Sequence, residues 1–294
     1  MRVTDRMTFE GAQTRTARSR EALEKANTEI ASGVRVDTPW SDPGAAGFIL
    51  SQTGNLERLA ATRKTTEQAV QELEAADTAL AAMGDAVSRA RELATQLTNP
   101  TYSASQRAAA SQEVRGLVQS LLAQANVKFN NRFLFGGDKD GAAPFDATGN
   151  YLGDSAVRQI EIAPGIFQDV SVRADVALKG VNGGTDVLGE VESLALALET
   201  NDVAGVQATL GGLEAGVSQV AAARVQSGTI VNVLESVGAA AMATSTSLAT
   251  ARSKIQDADL VDAGTRMALA QRSLEATLQS SAQSFRLTLL SYLR

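Results

Sequence analysis

With no histidine and no cysteine, this 294-residue chain has only carboxylates, lysines and tyrosines for acid–base chemistry. Asp257 and Asp259 stand two positions apart in "QDADLVDAG", as a paired acid and base would. Asp138, Asp140 and Asp146 surround Gly141 in "GGDKDGAAPFD", a run of hard oxygen donors for a divalent cation. Neither arrangement is complete. The aspartate spacing fails the twelve-residue calcium-loop pattern, and no glutamate closes it. Gly136-Gly137 runs into Asp138-Lys139 and not Gly-Lys-Ser/Thr, so no phosphate cradle is spelled out. Asp257 and Asp259 precede a helical stretch, where capping its N-terminus is the simpler use. Without thiol or imidazole there is no Ser-His-Asp or Cys-His nucleophile and no zinc site of the usual kind. The expectation is a protein with no catalytic residue, no cofactor and no metal, and not an enzyme.

Partners narrow in the same way. A formal net charge of −6 and a pI near 4.9 argue against nucleic acid, which selects a basic stripe. No apolar run is long enough to span a bilayer, so no membrane segment is expected. "MRVTDRMTFEG" lacks an apolar h-region, and export without a cleaved Sec signal is expected.

The elements that must carry these residues are mostly long helices. Residues 4–32 are amphipathic, with Ala12, Leu23, Ala26 and Ile30 set among charged positions. "SGVRVDTPWSDPGAAG" then breaks the helix with Gly33, Pro39, Trp40, Asp42, Pro43, Gly44 and Gly47, since proline removes a donor and clashes with the preceding turn. Trp40, the only tryptophan, is expected to anchor this bend by packing on adjacent helices. From about Ala45 to Leu97 a second helix carries Leu73, Ala76, Leu80, Met83, Val87, Ala90, Ala94 and Leu97 at spacings of three and four, a coiled-coil seam. Ser103 and Gln106 form a capping box for a third helix.

Between about 131 and 184 the language is short, Gly-punctuated and rich in Val, Ile and Phe. Ile160 and Ile162 alternate with Gln159 and Glu161 as in a half-buried strand, and Ala163-Pro164-Gly165 is a turn. Asp186 opens a short helix, and Asp202 caps a long one with Val206, Leu213, Val220 and Leu234 in register. Arg224 and Arg252 fall inside that seam, where carboxylates across the bundle would pair with them. After the second break at Asp257–Asp262 a last helix shows Leu274, Leu278, Phe285, Leu289 and, at its end, Leu293.

The fold expected is mainly α: an elongated helical bundle or coiled coil formed by the N- and C-terminal segments, with a small β-rich insertion in the middle. Its parts are a terminal helical assembly domain (1–44 and 256–294), a central long-helix bundle (45–130 and 185–255) and the insertion (131–184). Leu80 and Leu213 should both be buried, and the insertion should stand apart as a knob.

Three separated stretches carry a family resemblance. "LEKANTEIASGVRVDTPWSDPGAAGFIL" (23–50) is similar to the Ser-Gly…Pro-Ser-x-Asp-Pro-x-x-Ala pattern of flagellin-type proteins, with Trp40 and Ser41 as local variation. "NNRFLFGGDKDGAAPF" (130–145) resembles that family's turn from helix into strand, and the stretch from Ala251 to Arg294 resembles its C-terminal helix. Asp42-Pro43, the "RFLFGG…PF" stretch and the "LSYL" ending resemble the family's hook–filament junction members; Ala45-Ala46-Gly47 and the final Leu293-Arg294 resemble filament flagellin, which is the alternative. The seams alone would also suit an intracellular coiled-coil scaffold. The resemblance implies a structural component of the bacterial flagellum that joins the hook, through the preceding hook-associated protein, to the flagellin filament. It implies type III export, an extracellular location, and assembly with itself in a ring or helix, with an export chaperone as a further partner.

Within that frame Gly33, Pro39, Trp40, Asp42, Pro43, Asp257 and Asp259 are expected to form a hinge between terminal and central helices. Leu23, Ile30, Leu274, Leu278, Phe285, Leu289 and Leu293 are expected to form the assembly interface. Helices cut off by the two breaks cannot borrow the central core, so their apolar faces are expected to be covered mainly by neighbouring subunits.

Overall fold

A computed structural model describes the backbone of residues 2–292 and the side chains of residues 6–283 other than residue 8. Its elements in chain order are α1 (Arg2–Ser32), α2 (Pro43–Leu97), α3 (Ala104–Ala125), β1 (Lys128–Phe129), β2 (Arg132–Phe133), β3 (Gln159–Ala163), β4 (Ile166–Asp169), α4 (Ala174–Ala177), α5 (Val187–Glu199), α6 (Val203–Gln256) and α7 (Leu260–Tyr292). The fold is mainly helical, with long helices from the two ends of the chain paired and small β-hairpins between them. The chain divides into two compact units. One comprises residues 1–58 and 244–294, the other residues 59–243. The division falls inside the long helices α2 and α6 and not at the Pro/Gly breaks.

The second unit (59–243) is where the large apolar side chains go. Every member of the seam from Leu73 to Leu97 is buried, and Leu80 and Leu213 are both fully buried. α2 and α6 run antiparallel here. Arg224 pairs with Asp77 at 3.0 Å, Ser227 lies against the Leu73 carbonyl, and Gly216 leaves room for Val87 and Val187. Hydrogen bonding to Asp77 raises the Arg224 pKa further. α3 and α5 cover the seam with Val114, Leu121, Val191, Leu194 and Leu198.

Helix ends follow their caps. Ser103 and Gln106 make the reciprocal capping box, Asp186 accepts from Gly189 N–H, and Asp202 accepts from Gly205 N–H. The segment 131–184 does not stand apart as a knob. Phe135 and Phe145 are fully buried in the same core as Leu80 and Leu213, with Leu134, Ala174 and Leu178 beside them. Short hairpins cannot bury a phenylalanine between themselves, so these rings use the helices. Asn130 and Asn131, both at positive φ, turn β1 onto β2, and Pro164-Gly165 turns β3 onto β4.

Candidate assembly surface of the chain ends

The first unit (1–58 and 244–294) is built on different side chains. α1 and α7 form an antiparallel pair, fixed in register by Ser19 opposite Ser273, Glu29 opposite Arg266 and Val34 bridged to Asp257. Ala12, Thr16, Ser19, Leu23, Ala26 and Ile30 turn inward on α1; Ala263, Met267, Ala270, Leu274, Thr277 and Ser281 do so on α7. Both sets step by four and three, a heptad seam. Only its alanines are buried. Thr16, Thr277 and Ser281 bond back to carbonyls of their own helix four residues earlier, which lets hydroxyls sit in the seam without orphaned groups.

Such a seam is weak. Burying an alanine methyl is worth about 0.8 kcal/mol, so its four buried alanines contribute about 3 kcal/mol, against about 1.5–3 kcal/mol for each large side chain buried in the other unit. Large apolar groups of this unit face water instead: Leu50 is 75% and Val261 81% exposed, with Met7, Leu260 and Leu269 also exposed.

The two breaks meet each other. α1 ends at Gly33, whose positive φ and bond from its N–H to the Glu29 carbonyl close the helix. Arg35 N–H donates to the Gln256 carbonyl at 2.8 Å, its guanidinium to the Ile255 carbonyl at 2.8 Å, and Ala258 N–H to the Gly33 carbonyl at 2.8 Å. Thr38-Pro39-Trp40-Ser41 is a tight turn closed by Ser41 N–H on the Thr38 carbonyl, with proline in its favoured second place. Asp42 caps α2 through Ala45 N–H at 3.0 Å, and Pro43 occupies the first helical position, where its missing donor costs nothing. α2 therefore starts two residues earlier than the spacing predicts.

Asp257 and Asp259 do separate jobs and do not act as a pair. Asp257 accepts from the Ser253 hydroxyl at 2.5 Å, and Asp259 caps α7 through Val261 and Asp262 N–H. Trp40 does not pack on adjacent helices: it is 81% exposed. The tight turn and the Asp42 cap already hold the bend, so the indole is left over.

Other sequence-marked residues are placed as follows. Leu23, Ile30 and Leu274 are half-buried in the α1–α7 seam, and Leu278 lies off it, 45% exposed. The side chains of Phe285 and Leu289, and Leu293 altogether, lie outside the described residues. Asp140 pairs with Arg132. Asp146 closes its own loop, accepting from Thr148 and Asn150, and these bonds hold its carboxyl down to about 2. Among the described residues no group of three or more His, Cys, Asp or Glu is placed to hold a metal ion. Glu29 is a buried carboxylate whose contact with Arg266, at 2.9 Å, falls outside hydrogen-bond geometry, so both oxygens lack a donor.

Residues 5–140 match the family model of the bacterial flagellin N-terminal helical region. The flagellar hook-associated protein 3 of Salmonella typhimurium is 27% identical over 97% of this chain and 96% of its own. Among solved structures, a flagellar hook-associated protein of Vibrio parahaemolyticus covers 74% of this chain and all of its own, at a TM-score of 0.69 and 20% identity. The flagellar junction protein of Legionella pneumophila covers 63% of this chain and 98% of its own, at a TM-score of 0.53 and 14% identity; these two likenesses concern the fold. Paired chain-end helices with an alanine seam and likenesses of this kind define a structural subunit of the flagellum, not an enzyme. Residues 5–140 of the chain are a flagellin N-terminal helical region, and nearly the whole chain is similar to hook-associated proteins.

Proposed function

We propose that this chain is the junction subunit of the bacterial flagellum, joining the hook, through the preceding hook-associated protein, to the flagellin filament. What carries this is a likeness to a hook-associated protein that runs the length of both chains, terminal helices and middle alike. Filament flagellin, the alternative open from sequence, is not favoured by that likeness. In this function the chain acts outside the cell, reaches the hook tip without a cleaved Sec signal, and can be escorted by an export chaperone. The test is a deletion strain. It should build hooks, release flagellin into the medium and lose motility, with all three reversed by the intact gene; a deletion strain that keeps its filaments attached overturns the assignment.

The breaks are the hinge of this subunit. Gly33, Pro39, Trp40, Asp42 and Pro43 on one strand and Asp257 and Asp259 on the other set the path by which terminal helices leave the long ones. The half-buried Leu23, Ile30 and Leu274, with Leu278 and the further positions Phe285, Leu289 and Leu293, serve contacts with neighbouring subunits. Pro39→Ala combined with Pro43→Ala should leave the second unit folded, with an unchanged urea midpoint, while motility falls at least fivefold. Normal swimming by that variant would remove the prolines from the mechanism.

A further inference from the structure

Where the end of α1 meets the break, the first unit holds an open concavity of about 500 Å³. Trp40 stands on its rim, 81% exposed. Glu21, Glu24 and Asp37 line it with exposed carboxylates. Glu29 lines it too, and is the buried carboxylate whose Oε1 has no donor. The cations on the same wall are Lys25 and Arg35, and Arg35 is already engaged by the Ile255 carbonyl and by Asp42. A bare indole face beside Glu21, Glu24 and Asp37, none of which pairs with a cation among the described residues, is a receptor for guanidinium groups. The ring attracts the cation, and the carboxylates accept the planar fork of donors.

The counterpart lies on the same helix. Arg15, Arg18 and Arg20 are exposed, and none meets a carboxylate among the described residues. α1 is thus divided along its length, basic over 15–20 and mostly acidic over 21–29. A helix divided in this way is complementary to a copy of itself displaced along its axis. The six residues from Arg18 to Glu24 set that displacement at about 9 Å.

We propose that the Trp40 concavity is the docking site for the Arg15–Arg18–Arg20 stretch of a second copy of this chain. The proposal rests on the assembly function above and supplies a subunit contact within it. Tryptophan and arginine are also the residues that most often dominate interface energies.

The single tryptophan makes the test direct. As the full-length chain is concentrated, Trp40 emission should shift to the blue as the indole leaves water, and salt should reverse the shift. Glu24→Arg and Arg18→Glu should each raise the midpoint concentration at least tenfold. The double reversal, Arg18→Glu with Glu24→Arg, should bring it back within threefold of the parent. Unchanged far-ultraviolet dichroism in all three shows that folding is not what moved. No concentration-dependent shift in the parent chain overturns the proposal. So does a double reversal that stays weak, which would mean that another protein supplies the cation. In the deletion strain, single-reversal variants that attach filaments as well as the parent sink this contact and leave the junction function standing; a parent chain that fails there sinks the function itself.

Discussion

Amide exchange on the monomeric chain is expected to fall into two regimes, with residues 12–30 and 263–281 exchanging at least a hundredfold faster than residues 73–97 and 206–234. The cause is the contrast between two seams. α1 and α7 meet through four buried alanines, half-buried Leu23, Ile30, Met267 and Leu274, and hydroxyls bonded to their own helices. α2 and α6 bury Leu73, Leu80, Met83, Leu213 and Leu234. Opening the first pair exposes little apolar surface and opening the second exposes much, and a hundredfold difference needs only about 3 kcal/mol. Assembly should then slow exchange in the terminal pair, as neighbouring copies cover Leu50, Val261 and Leu269. Equal protection of both pairs in a verified monomer would show that the terminal helices need no neighbours.

The largest single-residue loss of stability is expected at Arg107. Its guanidinium is buried near the start of α3 and donates to the carbonyls of Leu97 and Asn99 at 2.9 and 3.0 Å and to Asn201 Oδ1 at 2.9 Å. It therefore satisfies the last carbonyl of α2, where the helix dipole is negative, together with one in the turn that follows, and ties them to the turn between α5 and α6. Asn201 holds its place there at positive φ. Hydrogen bonds to a charged group contribute about 1.5–3 kcal/mol each and are not additive, so Arg107→Met should cost about 3–5 kcal/mol. Arg107→Lys, with a point charge in place of a fork, should recover less than half of that. Urea unfolding of the second unit reads both, as a lowered midpoint at an unchanged slope. A loss below 1 kcal/mol would mean that water replaces the guanidinium without penalty.

How much of this was legible in the sequence depended on side-chain size. The Leu73–Leu97 seam could be counted because each member is apolar, and all are buried. The caps at Ser103, Asp186 and Asp202 were legible because a short oxygen side chain before a helical run has one main use. The α1–α7 seam has the same four–three spacing, but Thr16, Ser19, Thr277 and Ser281 are polar letters, and nothing in the spelling says that they bond back to their own helix. The burial of Phe135 and Phe145 was hidden for another reason: a Gly-punctuated stretch announces hairpins without saying which helices cover their rings. Trp40 was misread because an aromatic residue between two prolines is usually an anchor, and here Asp42 and the tight turn hold the bend without it. Glu29 carried no signal at all, since its burial follows from the meeting of two helices at opposite ends of the chain.

That meeting also sets an order of events in time. Ser19 and Ser273 are 254 positions apart, and closing a free loop of that length costs about 5 kcal/mol in chain entropy. The second unit removes the cost in advance, because once it has formed, Arg63 on α2 and Met242 on α6 lie along one groove. The bridge between Val34 and Asp257 is then a short search between segments already delivered close together. From that first rung α1 and α7 can zip outward to their free ends. The terminal pair should therefore form last, at the rate of a local helical hairpin and not of a quarter-thousand-residue loop.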